Sequence, residues 1–251
     1  MRTTRCFIPT PLRAQSIIPL PEAASAHIRR VLRLRAGAEL TLFDGRGGEY
    51  AATLLCADEG LRAQVGDYRA VEREAPLPVT LLQGLSRGER MDWIVQKSTE
   101  LGVAVIAPVT TRYSVVQLEA PAAAKRVAHW GAVATSACEQ CGRNRLPSIE
   151  PVRALAAACA EVQSTLRLLL LPEAAASLPQ LLGEHAQGSD PARSIALLVG
   201  PEGGLAAEEI ELAHRAGFQA VSLGPRILRT ETAPLAALAA VQALVGDFRA
   251  G

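Results

Sequence analysis

From Val79 onward the chain alternates continuous apolar runs with amphipathic stretches, and that alternation leaves few architectures open. The runs are Val79–Leu85, Val103–Val109, Leu166–Leu171, Ile195–Val199 and Ala220–Leu223. Helical spacing marks Arg90–Leu101, Ala122–Gln140, Leu178–His185, Ala207–Ala216 and Pro234–Val245. A strand that is apolar on both faces must be covered on both, and strands joined through helices run in one direction. The expectation is an α/β domain with a parallel sheet between helical layers. Ligands of such sheets collect at the carboxyl ends of the strands.

Two unusual stretches occupy that place. In "LLVGPEGGL" an apolar run stops at Gly200, Pro201, Glu202, Gly203 and Gly204, more glycine than a turn requires. Without a side chain, such a backbone can lie directly against a flat ligand. The second stretch, "LGPRILRTET" from Leu223 to Thr232, sets Arg226, Arg229, Glu231 and Thr232 between a buried strand and an apolar helix. Core packing explains that charge density poorly. Two ordinary loops, with Thr232 capping the last helix, remain the plain alternative.

The segment before Arg73 reads differently. "PEAASAHIRRVLRLRAG" has Pro21 near its start and Gly37 past its end, which predicts a helix. Its apolar face is Ala24, Ile28, Val31 and Leu32; Arg29, Arg30 and Arg33 gather opposite. "AELTLFDGRGGEYAATLL" predicts a strand, a tight turn over Asp44–Gly48 and a returning strand, and "LRAQVGDYRAV" one more. "EREAPLPV" breaks both periodicities and is the expected linker. The domains are therefore placed at 1–73, a small β domain carrying a basic helix, and 74–251.

Several chemistries are excluded. The chain has no G-x-x-x-x-G-K-[ST] or H-E-x-x-H pattern, and "DGRGGEY" lies in a hairpin context. His27, His129, His185 and His214 fall on separate helical patterns, so no metal is expected. Cys138 and Cys141 form a lone C-x-x-C without further ligands at useful spacing, and read as small residues on a helix face. Net charge is only +1, so bulk charge does not announce a polyanion partner. Of the 26 basic residues only Lys97 and Lys125 are lysine, so basic sites will use planar forks suited to phosphates. No apolar run can span a bilayer and the first residues lack a secretion signal, so the expected location is the cytoplasm.

Taken in order, "HIRRVLRLRAG", "RGERMDWIVQKSTELGV", "ACEQCGRNRLP", "LLVGPEGGLAAEEIELAHRAGF" and "VSLGPRILRTETAPLAAL" resemble the bacterial 16S ribosomal RNA uridine-N3 methyltransferase family of the SPOUT superfamily. The resemblance covers nearly the whole chain. It implies an N-terminal PUA-like RNA-binding barrel, a C-terminal domain with a trefoil knot, a homodimer, and S-adenosylmethionine held between the two loops. The matching cofactor positions are Leu198, Gly200, Pro201, Glu202, Gly203, Leu223, Gly224, Arg226, Ile227, Leu228 and Thr232. Ala206 stands where Ser or Thr is common, so the helix from Ala207 lacks a side-chain cap, about 1 kcal/mol of local stability.

Methylation at uridine N3 requires loss of the N3 proton, which spreads negative charge onto the flanking carbonyl oxygens. Arg229 is the candidate to stabilise that charge, with Glu231 orienting it or accepting the proton. An ion pair that merely shapes the loop is the competing reading. RNA contacts, to 16S ribosomal RNA or the small subunit, are expected from Arg5, Arg29, Arg30, Arg33, Arg35, Arg143 and Arg145. The competing functions are methylation at another RNA position and a non-catalytic ribosome-assembly role.

Overall fold

The computed structural model describes residues 4–29, 33–57, 60–114, 119–187 and 192–249. The chain divides into two compact units, one of 1–74 with Thr135–Leu146, the other of Ala75–Ala134 with Pro147–Gly251. The return of Thr135–Leu146 to the first unit has no signature in the sequence.

The first unit is built on a five-stranded sheet. Its strands are β1 (Thr4–Phe7), β2 (Ile17–Pro19), β3 (Glu39–Phe43), β4 (Glu49–Ala57) and β5 (Gly60–Arg69), ordered β1-β3-β4-β5-β2. Only the β1–β3 pair is parallel. The predicted hairpin over Asp44–Gly48 forms, with Leu42 opposite Tyr50. Period-two alternation buries Leu61, Ala63 and Val65 and turns Arg62 and Gln64 outward. These side chains close on Leu40, Leu42, Leu54 and Ile28.

The helix expected from Pro21 toward Gly37 is shorter. Regular α1 covers Glu22–His27, and Ile28 and Arg29 continue it in a wider turn. Arg33 is left-handed (φ 51°), so Arg33 and Arg35 lie beyond the helix and the expected single basic face does not form. The physical reason is packing: Ile28 is wholly buried and Leu34 packs on the same small core, two positions that a continuous helix would set on different faces. Arg30, Val31 and Leu32 lie outside the described residues.

The second unit bears out the parallel α/β expectation. Strands β6 (Val79–Gly84), β7 (Val105–Thr110), β8 (Ser148–Ile149), β10 (Leu166–Leu170), β11 (Ile195–Val199) and β12 (Gln219–Val221) are ordered β12-β10-β11-β6-β7-β8, all parallel. The short β9 (Arg153–Ala154) also pairs with β7. One sheet face buries Leu81, Leu168 and Leu197 against α2 (Arg90–Glu100), α3 (Ala120–Cys141), α5 (Leu178–Gln187) and α7 (Ala233–Val245). The other buries Leu82, Leu169 and Leu198 against α4 (Leu155–Glu161) and α6 (Ala207–Arg215). Helix α4 escapes sequence reading because "LAAACAE" offers little contrast between its faces. Among the described residues no helix is long and apolar enough to cross a membrane.

Candidate functional site

In the second unit the strand order sets the carboxyl ends of β12, β10, β11 and β6 side by side. Three loops rise there: Leu85–Glu89 after β6, Gly200–Ala206 after β11 and Ser222–Thr232 after β12. Between the second and third lies a cleft of about 550 Å³, edged by Arg90 and within the size range of small-molecule sites. Its apolar surface comes from Leu170, Leu171, Val199, Leu223 and Leu228, with Ile227 85% exposed at the rim.

Buried polar contacts hold the loops at the base of the cleft. Thr230 donates its hydroxyl to the carbonyl of Gly200 (2.9 Å) and accepts from the amide nitrogen of Gln83 (3.2 Å). Ser86 Oγ lies 3.3 Å from the same hydroxyl. Gln83 also donates to the Gly84 carbonyl (3.1 Å), and its buried Oε1 has no protein partner. Gly84 lies so close to the β11 loop that a Cβ there would be 2.5 Å from the nitrogen of Pro201.

Charged contacts hold the upper part. Glu202 Oε1 accepts from the Arg87 amide (3.0 Å) and from the Arg90 guanidinium (2.7 Å). Partial burial pulls the Glu202 carboxyl upward, but the Arg87 amide and Arg90 prevail and hold it below the usual carboxylate range. Arg90 Nε also faces Glu231 at 3.6 Å, while Arg229 reaches the other Glu231 oxygen only at 3.9 Å.

Of the residues proposed from sequence for the cofactor, Gly200, Pro201, Glu202, Leu223, Gly224, Arg226, Ile227 and Leu228 line the cleft. So do Arg229 and Glu231. Leu198 is fully buried in the opposite core, beside Ala213 and Phe218. Gly203 is turned to Tyr113, whose Cβ would be 2.8 Å from a Cβ placed there, so this glycine answers the chain's own packing. Thr232 is exposed and makes no side-chain cap on α7. At Ala206 the missing cap is half replaced: Glu209 accepts from the Ala206 amide (2.9 Å) and the Arg112 amide (2.8 Å).

Sequence reasoning missed Arg90, Thr230, Gln83 and Ser86. The usable signal was positional: "LLQGLSRGER" is a third strand-to-helix loop at the same sheet end.

The basic residues of the first unit divide sharply. Arg143 is 5% exposed and places its Nε 3.0 Å and its Nη2 2.5 Å from Glu74. Arg5 is spent on Glu49 (2.5 Å), the Arg143 carbonyl (3.1 Å) and Asn144 (2.6 Å), with its guanidinium 4.9 Å over the Phe43 ring. Both guanidinium groups are thus engaged by partners within the protein. Arg29, Arg33, Arg35 and Arg145 are exposed, Arg145 alongside Glu72 (3.1 Å). Burial pushes the Cys138 thiol up to about 12, which keeps that sulfur as the neutral thiol near pH 7. No cluster of potential metal ligands occurs among the described residues.

A family model described as the RNA methyltransferase domain matches residues 73–242, and one described as the RNA methyltransferase PUA domain matches 20–60. The ribosomal RNA small subunit methyltransferase E of Buchnera aphidicola is 31% identical, covering 98% of each chain. That of Synechocystis is 34% identical over 92% of this chain and 74% of its own. A crystal structure of the Neisseria gonorrhoeae protein of that name, bound to S-adenosylmethionine, superposes with a TM-score of 0.89 at 40% identity, covering 98% and 100% of the two chains.

Proposed function

The chain belongs to the RNA methyltransferase family, and from that premise we propose that it transfers a methyl group from S-adenosylmethionine to N3 of a uridine in small-subunit ribosomal RNA. The observation that carries the proposal is the cleft at the carboxyl ends of β10, β11 and β12, walled by two loops that bring main-chain atoms and carboxylates together.

The residues present fit such a donor. Leu170, Val199, Leu223 and Leu228 offer apolar surface to an adenosyl group, and the main chain of Gly200–Glu202 and Leu223–Leu228 offers amides and carbonyls beside it. The charged lining is mixed in sign, with Glu202 and Glu231 beside Arg90, Arg226 and Arg229. When bound, S-adenosylmethionine supplies a methyl group already activated by a positively charged sulfur. The protein's own task is alignment and water exclusion, for which positioning can contribute about 7–11 kcal/mol.

Uridine N3 must also lose its proton. Arg229 meets the incoming base in this reading and stabilises charge on the flanking carbonyl oxygens, a role supported by its 79% exposed side chain at the cleft. Glu231 orients Arg229 or accepts the proton. RNA is held by the exposed arginines Arg29, Arg33, Arg35 and Arg145. A homodimer completes the proposal, supported by the exposure of Ile227 beside the cleft and of Trp93 on α2; light scattering of the purified protein tests it.

The function is tested by nucleoside mass spectrometry of 16S ribosomal RNA from a deletion strain, with and without the gene restored. Loss of N3-methyluridine, regained on restoration, is expected. Loss of a different methylated nucleoside would move the activity to another position, and an unchanged nucleoside profile would remove it.

A further inference from the structure

The two loops that wall the cleft follow β11 and β12, and these strands are not neighbours: β10 lies between them. Their separation at the mouth must therefore be set by side chains. Thr230 ties them at the base through the Gly200 carbonyl. Toward the mouth, one guanidinium stands between both loops, with Arg90 Nη1 2.7 Å from Glu202 of the first loop and Nε 3.6 Å from Glu231 of the second.

The geometry points to Arg90 as a positioning residue that clamps the "GPEGG" and "RTET" loops at one separation before the cofactor arrives. This inference rests on the reading of the cleft as an S-adenosylmethionine site. The clamp is held from a rigid element. Arg90 opens α2, and the next residues of that helix, Met91, Ile94 and Val95, are at most 1% exposed in the core. Glu202 is gripped a second time by the Arg87 amide, from the loop that leads into α2. The planar fork of arginine presents its N–H groups to the two carboxylates in fixed directions, whereas the ammonium of a lysine is a compact charge on a flexible stem. The neighbouring Arg229 is no substitute, since at 79% side-chain exposure and 3.9 Å from Glu231 it touches only the second loop.

The test compares wild type, Arg90→Lys and Arg90→Gln. Hydrogen exchange of the ligand-free protein is followed over residues 200–206 and 223–232. Calorimetry gives S-adenosylmethionine affinity without RNA, single-turnover rates are taken at saturating cofactor, and thermal unfolding checks the fold. In Arg90→Gln both loops should exchange faster and cofactor should bind about tenfold more weakly, the scale of two partly exposed ion pairs. The rate at saturation should change less than the affinity, and Arg90→Lys should fall between the other two. Unchanged exchange, or faster exchange in one loop alone, overturns the clamp. If wild type gives no heat with S-adenosylmethionine, the cofactor reading fails; the exchange data on ligand-free protein still decide whether Arg90 joins the loops.

Discussion

The hydroxyl of Thr230 donates to the carbonyl oxygen of Gly200 at 2.9 Å, joining the loop after β12 to the loop after β11 from a position only 7% exposed. The Thr230 hydroxyl oxygen in turn accepts from the Gln83 side-chain amide, so one side chain links three strand ends.

Thr230→Val keeps the shape and removes the hydroxyl, leaving the Gly200 carbonyl without this donor and Gln83 without this acceptor. The expected loss is about 1–3 kcal/mol in chemical denaturation, with weaker S-adenosylmethionine binding by calorimetry. Thr230→Ser should recover most of both.

Gly84→Ala places a methyl 2.5 Å from the Pro201 nitrogen, where only backbone could yield. It should cost about 1–3 kcal/mol, the scale of an overpacked core, and disturb the β11 loop. Gly183→Ala, in α5 with nothing within 4 Å of the new Cβ, should instead stabilise by about 0.5–1 kcal/mol. Thermal and denaturant unfolding of the two variants should move in opposite directions.

Arg229→Ala tests the assigned catalytic role. If Arg229 stabilises charge that develops on the base, the single-turnover rate at saturating cofactor should fall about 10²–10³-fold while S-adenosylmethionine affinity holds. A near-normal rate would leave Arg229 as a shaper of its loop.

Glu49 lies within reach of Arg5 (2.5 Å) and Arg73 (3.3 Å), with its side chain 8% exposed. Burial raises its carboxyl, but the two arginines outweigh burial and hold it below its ordinary value of 4.5. A depressed folded value gives stability that is present above pH 4.5 and lost as pH falls through the folded value. Glu49→Gln should cost about 3–5 kcal/mol at pH 7, since Arg5 is left buried without its anion. It should also flatten the decline of stability below pH 4.5, measured by urea unfolding across pH.

Arg143 and Arg145 separate structure from RNA contact within one short motif. Arg143→Gln breaks a buried pair with Glu74 and should lower stability by about 3–5 kcal/mol without changing the salt slope of RNA binding. Arg145→Gln, more than half exposed, should leave stability nearly unchanged and flatten that slope by about 0.7 if it meets a single-strand phosphate. Binding titrations against salt and unfolding curves on both variants decide.

What could be read along the chain was whatever depends on neighbours in sequence. Continuous apolar runs from Val79 to Leu223 dictate strands buried on both faces, and the helical patterns between them force parallel crossovers. The carboxyl ends of those strands then mark where a ligand must enter, so Gly200–Glu202 and Leu223–Glu231 were legible as one site. Contacts between residues distant in sequence were not. That Arg90 stands between Glu202 and Glu231, and that Thr230 reaches Gly200, depends on the strand order β12-β10-β11-β6. Composition shows that "CGRNR" carries two arginines, but only packing turns Arg143 inward to Glu74 and leaves Arg145 outside. The reason is physical: periodicity reports which side of an element is apolar, whereas the partner of a charge is chosen by desolvation once distant elements have met.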